Sequence, residues 1–192
     1  MTGIDVLRLL LTSSFGNIGS RLDALSDDDW DRRAIAGTNK AGFILWHAAR
    51  VLDWTHSSLA GVDEIAHGEP WRDRFPEEAL VGFGIPESVA DRVTQTVSRT
   101  DTIDYLAEVK KTFLEWFDRQ TPETLEAKVS LRTPRAEKAG YLAAAPWEEM
   151  SGLDEIPAWH MLARASGGHI RAHQGEYDAL VGVLRSAATP QA

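Results

Sequence analysis

Apolar residues recur at three- and four-residue steps through much of the chain. Ile4, Leu7, Leu11, Ile18, Leu22 and Leu25, with Phe15 close to the same stripe, mark one face of an amphipathic helix of about six turns. Ser26 followed by Asp27, Asp28 and Asp29 reads as a stop and a new helix-start or turn signal, and residues 32–38 read as a loop. A second helix is predicted from about Asn39 to Leu59, with Phe43, His47, Val51 and Trp54 in line and Gly61 ending it. From Gly61 to about Arg99 the period fails. The runs His67-Gly-Glu-Pro-Trp-Arg-Asp-Arg-Phe-Pro76 and Gly82-Phe-Gly-Ile-Pro86 are rich in turn formers, and only Glu87 to about Val97 reads as a short helix.

A third helix, about Thr102 to Gln120, carries Ile103, Leu106, Phe113 and Phe117, and Thr121-Pro122 closes it because proline cannot continue the ladder. Between Glu123 and Pro157 the pattern is weakest. Val129-Ser-Leu-Arg132 reads as extended, Arg135 to Ala145 as a helical turn or two, and Pro146-Trp147 as a break. The fourth helix starts near Ile156 to Ala158 and runs to about Ser186 on the stripe Leu162, His169, His173, Leu180 and Leu184. Ala187 to Ala192 read as a disordered tail. Four such helices predict an all-α four-helix bundle in a single domain over residues 1–186. The long connection between the second and third helices lets those two run parallel.

Composition narrows the function. The formal net charge is −9 and the pI near 5.1, which argues against a nucleic-acid partner, since such a protein needs a basic face. No apolar run is long enough for a membrane span, and the start lacks the layout of a signal peptide. The 192 residues include no cysteine. Disulfides, thiolate ligands and a cysteine nucleophile are thereby excluded together, and a cytoplasmic location fits. Arginine outnumbers lysine fifteen to five, a bias of GC-rich bacterial genomes.

The fourth-helix stripe carries the candidate chemistry. His169 and His173 stand one helical turn apart in Ser166-Gly-Gly-His-Ile-Arg-Ala-His-Gln-Gly-Glu176, and an i, i+4 pair of imidazoles aims two nitrogens at one point. The competing reading is a buried pair satisfied by hydrogen bonds, which needs two sets of buried partners. His47, on the core stripe of the second helix, is the candidate third ligand, or else a core histidine bonded to a neighbour. His56 and His160 each lie nine residues from a candidate ligand, about 180° round a helix, so neither faces the same point. His67 falls in the glycine- and proline-rich connection and reads as a solvated loop residue, in a loop able to fold over a site.

Ile170, Arg171 and Ala172 separate the histidine pair, so this is not the His-Glu-x-x-His pattern of zinc proteases. Glu176, on the same stripe, is the candidate catalytic residue. It is placed to ligate a metal, orient a coordinated water or act as general base, and equally to hydrogen-bond a neighbouring helix. Trp46, Trp54 and Trp159 lie near enough to the histidines in sequence to line a pocket, and a core role is the preferred reading of all three.

Taken together, these residues resemble the DinB/YfiT-like superfamily of metal-dependent proteins. The resemblance rests on two blocks: Asn39-Lys-Ala-Gly-Phe-Ile-Leu-Trp-His-Ala-Ala-Arg-Val-Leu-Asp-Trp54 and His169-Ile-Arg-Ala-His-Gln-Gly-Glu-Tyr-Asp-Ala-Leu-Val-Gly182. It implies a four-helix bundle of up-down-down-up connectivity and a divalent transition metal, zinc or nickel, held by His47, His169 and His173. It further implies a homodimer and a small-molecule substrate. Some relatives transfer or isomerise with a low-molecular-weight thiol, which here must come from outside the chain. The segment from Glu123 to Pro157 is longer than the usual link into the fourth helix.

Three imidazoles leave coordination positions open, as catalytic sites do. With the resemblance, the expected chemistry is a metal-dependent thiol transferase, isomerase or hydrolase acting on a small electrophile. The alternative is a metal- or ligand-binding or stress-response dimeric helical bundle without turnover.

Overall fold

A computed structural model describes residues 1–129 and 155–188 of the chain. α1 (Gly3–Ala24) begins at a capping box made by Thr2 and Asp5, and the one-turn α2 (Asp27–Trp30) is capped by Ser26. α3 (Ala41–Ala60) ends at Gly61, whose φ of 66° is the left-handed conformation that closes a helix. Three short 3₁₀ turns and α4 (Glu87–Thr96) make up the crossover to α5 (Arg99–Phe117). α5 starts three residues before the expected Thr102, because Ser98 and Asp101 form a second capping box. α6 (Pro122–Glu126) leads into a two-residue strand, β1 (Lys128–Val129), which pairs antiparallel with β2 (Ile156–Pro157). From there one long helical run forms: α7 (Ala158–Leu162), a π-helical segment (Ala163–His169) and α8 (Ile170–Ala188).

Contacts between the long helices fix their directions. Arg8 near the start of α1 pairs with Asp118 beyond the end of α5, while Arg99 at the start of α5 donates to the Leu22 carbonyl. α1 and α5 are therefore antiparallel. Ser14 meets the Ser166 carbonyl and Arg21 meets Asp178, so the last helix runs parallel to α1. Asn39 meets Glu176 while His47 meets His169, which sets α3 antiparallel to α8. Asp53 meets Tyr105 and His56 meets Phe113, so α3 and α5 are parallel. The bundle is up-down-down-up, and the long crossover is what allows α3 and α5 to share a direction.

The expected stripes form the core: Leu11, Phe15, Ile18 and Leu22 of α1, Leu106, Phe113 and Phe117 of α5, and Leu162, Leu180 and Leu184 of the last run are all buried. α3 departs from its pattern. Every residue from Ala41 to Ser58 is buried, including Arg50, Asp53 and His56. The crossover covers the face that would otherwise be wet. Of the extended stretch expected from Val129 to Arg132, Val129 lies in β1, and residues 130–132 lie outside the described residues. The helical turns expected from Arg135 to Ala145, and the break at Pro146-Trp147, lie outside the described residues. Ala187 and Ala188, read as the start of a disordered tail, are the last residues of α8.

Candidate metal centre

His47, His169 and His173 converge between α3 and the last helical run. One ring nitrogen of each lies within 4.8 Å of the others. His47 is held from both sides. It sits in the middle of α3, 4% exposed, and its Nδ1–H donates to the Val81 carbonyl at 2.6 Å. A carbonyl cannot donate, so the neutral ring must carry its lone pair on Nε2. That atom lies 3.2 Å from Nε2 of His169. His173 Nδ1–H donates to Glu176 Oε2 at 2.9 Å, which leaves its own Nε2 as the lone-pair nitrogen. Glu176 in turn accepts from Asn39 Nδ2 at 3.3 Å.

Electrostatics keep this cluster ready for a cation. Burial, then the neighbouring His169 and His173, push the His47 pKa well below its ordinary value, against the opposing bond to Val81. Burial, then His173 and Arg164, push His169 down to about 4. The hydrogen bond from His173 holds the Glu176 carboxyl below its usual range, aided by Asn39 and opposed by partial burial. At neutral pH, His47 and His169 are therefore uncharged imidazoles and Glu176 is a carboxylate.

The crossover supplies the wall of the site. Leu80 has φ 51° and Gly82 has φ 92°, so two left-handed residues flank Val81 and turn its carbonyl toward His47. A Cβ on Gly82 would stand 2.6 Å from His47 Nδ1, so only glycine fits that approach. Phe83 packs edge-on to His47 at 5.0 Å between ring centroids and lies 5.2 Å from His169. The strap is anchored by Arg50, which donates from both Nε and Nη2 to the Leu80 carbonyl at 3.1 Å.

The donor set fits a small divalent ion. Two nitrogens bound to one tetrahedral zinc at about 2.0–2.1 Å stand roughly 3.3 Å apart, and His47 and His169 already stand 3.2 Å apart. A carbonyl or carboxylate on the far nitrogen of a ligand imidazole is the outer-shell arrangement that metal-bound histidines use. Without an ion, the His47–His169 pair can instead share one proton in an N–H···N hydrogen bond.

The family model of the DinB superfamily matches residues 11–151. The chain belongs to the DinB superfamily. The matched span takes in α1 from Leu11 on, α3 with His47, the crossover and α5, and stops before His169 and His173. The crystal structure of a conserved protein from Enterococcus faecalis shares the fold, with a TM-score of 0.69 at 15% identity over 97% of this chain and 99% of that one. No curated protein matches the chain.

Among the other histidines of this DinB chain, His56 packs between α3 and α5 against Phe113, and His160 is exposed beside Trp159. Neither joins the cluster, in keeping with their spacing. His67 is half-buried in a 3₁₀ turn and not solvated as a loop residue would be. Trp46 and Trp54 are core residues, whereas Trp159 is 39% exposed and bonds Glu126. Arg50, Val81, Gly82 and Phe83 carry no ligand signature. The glycines at 82 and 84 within a run of turn formers were their one visible trace.

Proposed function

We propose that this chain binds one divalent transition-metal ion, zinc or nickel, through His47, His169 and His173. We further propose that it acts as a metal-dependent transferase, isomerase or hydrolase on a small electrophile, with an external low-molecular-weight thiol as co-substrate. The observation that carries the metal reading is the 3.2 Å approach of the His47 and His169 Nε2 atoms, with Nδ1 of His47 tied to a carbonyl. Membership of the DinB superfamily supports it. When bound, a divalent ion supplies positive charge that favours the anionic form of a coordinated water or thiol. The chain's own part is to hold neutral imidazoles in fixed tautomers and to exclude water from the His47 side with Phe83 and Val81. Of the roles open to Glu176, orienting His173 is the one with a contact to carry it.

A second reading, metal or ligand binding without turnover, draws on that same residue. Both Glu176 oxygens are engaged, one with His173 and one with Asn39, so neither is a free base. Metal analysis of protein made without a histidine tag tests the shared part. Near-stoichiometric metal is expected, and less than roughly a tenth of an equivalent after reconstitution sinks both readings. His169→Ala should lose the metal and keep its helical circular dichroism. A conjugation screen with several bacterial thiols and model electrophiles then separates turnover from binding.

A further inference from the structure

We propose that Arg50, which touches neither the metal ligands' free nitrogens nor solvent, is a positioning residue of the metal centre. It acts by locking the Leu80–Val81 strap that sets the tautomer and orientation of His47. The proposal rests on the metal reading above for its affinity readout only.

Arg50 lies on α3 three residues past His47 and is 2% exposed. All five of its N–H donors are used. Nη1 serves Asp53 Oδ2 at 3.2 Å and the Tyr105 hydroxyl at 3.0 Å. Nη2 serves Glu64 Oε2 at 2.8 Å and the Leu80 carbonyl at 3.1 Å, and Nε serves that same carbonyl at 3.1 Å. Burial opposes its charge, but Tyr105, Glu64 and Asp53 outweigh burial and raise its pKa, so the guanidinium stays cationic. Asp53 is independently saturated by Tyr105 O–H and by the backbone N–H groups of Ile65 and Ala66. The guanidinium is thus a rigid fork, fixed on one side by α5 and the first 3₁₀ turn, whose free edge grips one carbonyl of the crossover.

That carbonyl belongs to the residue in which the strap is strained. Leu80 holds φ 51° without being glycine. Such a conformation persists only where its surroundings over-determine it. Leu80 N–H on the Glu77 carbonyl and Gly82 N–H on the Ala79 carbonyl close the turn, and two donors from a fixed guanidinium hold the Leu80 oxygen itself. The next carbonyl along, Val81, is the one that receives His47 Nδ1–H. Release of Leu80 lets its backbone relax, turns the Val81 carbonyl away, and frees the His47 ring to exchange tautomers. Lysine cannot substitute, because its three donors radiate from one atom and cannot reproduce the fork.

The test uses Arg50→Lys, which keeps a cation beside Asp53 and Glu64, with Tyr105→Phe as the control that removes a bond to the guanidinium but leaves the Leu80 grip. Two readouts are taken. In metal-free protein, long-range proton–nitrogen correlation should show His47 as a single Nδ1–H tautomer in wild type and Tyr105→Phe, and as a mixture in Arg50→Lys. For zinc, competition titration should show a loss of about 10–100-fold in Arg50→Lys, the range expected for an outer-shell partner, and less than about threefold in Tyr105→Phe. If Arg50→Lys does not fold, Arg50→Gln combined with Glu64→Gln removes one charge of each sign and leaves Asp53 its three other donors. A folded variant of either kind that keeps the single His47 tautomer and wild-type zinc affinity overturns the proposal. Wild-type protein that binds neither zinc nor nickel yet shows the tautomer change in Arg50→Lys refutes the metal reading and leaves the positioning role standing.

Discussion

Gly82 carries two demands at once: a φ of 92° and an approach to His47 Nδ1 that leaves no room for a Cβ. Gly82→Ala should therefore cost about 1–3 kcal/mol from backbone strain and weaken metal binding as well, because the ring must shift away from the methyl group. Thermal denaturation of the metal-free protein checks the first effect and metal competition the second. Wild-type values in both would show that the strap adjusts without disturbing His47. The histidines set a pH dependence of their own. In the unfolded chain they titrate near about 6.5, while in the fold burial and neighbouring charge push His169 down to about 4 and push His47 down too. Protons therefore bind the unfolded state more readily. Their contribution to the stability of the metal-free protein is complete above the unfolded value and is lost as pH falls through the folded one. Denaturant midpoints measured between roughly pH 6.5 and 5, above the main carboxylate range, should decline less steeply in His169→Ala than in wild type. Equal slopes would contradict the burial of His169.

At the scale of elements, the last helical run shows what periodicity reveals and what it hides. The stripe Leu162, His169, His173, Leu180 and Leu184 was legible because its members share one face, and it delivered the histidine pair. The π-helical segment Ala163–His169 was not legible, since an extra residue per turn leaves no mark on a pattern built from so few apolar positions. Such segments recur at functional sites because they re-aim side chains without ending the helix. Within this one, the Ser166 carbonyl accepts from the Ser14 hydroxyl of α1 at 2.6 Å. Ser14→Ala should cost about 0.5–1.5 kcal/mol for the lost buried hydrogen bond, read as a lower melting temperature. A cost of only a few tenths would mean that the segment reverts to regular α-helix. α3 makes the opposite point. Its apolar residues and His47 were plain in the sequence, but the fate of Arg50 and Asp53 was not. Polar residues facing away from the bundle core look solvated until the crossover is known to cover them. The crossover has little periodicity, so its contribution to the site, Val81 through Phe83, required the fold.

For the molecule as a whole, the cluster joins α3 to α8 across 122 residues of sequence, at the antiparallel pairing opposite to the parallel α3–α5 contact. An ion held there strengthens a link that apolar packing and the Asn39–Glu176 hydrogen bond otherwise maintain, so it should bind the native state and not the unfolded one. Ligand linkage then gives about 2.7 kcal/mol at a free metal concentration a hundred times the dissociation constant. For chains of about 150–250 residues, each kcal/mol moves the melting temperature by about 2–4 °C. Reconstitution should therefore raise the melting temperature by roughly 5–11 °C, and a chelator should reverse the rise. His47→Ala and His173→Ala, which remove ligands from opposite sides of the link, should each abolish the shift, whereas His160→Ala should leave it intact because that residue is exposed outside the cluster. A metal that binds stoichiometrically without raising the melting temperature would place the ion elsewhere than between these two helices, since a bridge that exists only in the folded state cannot bind without stabilising it.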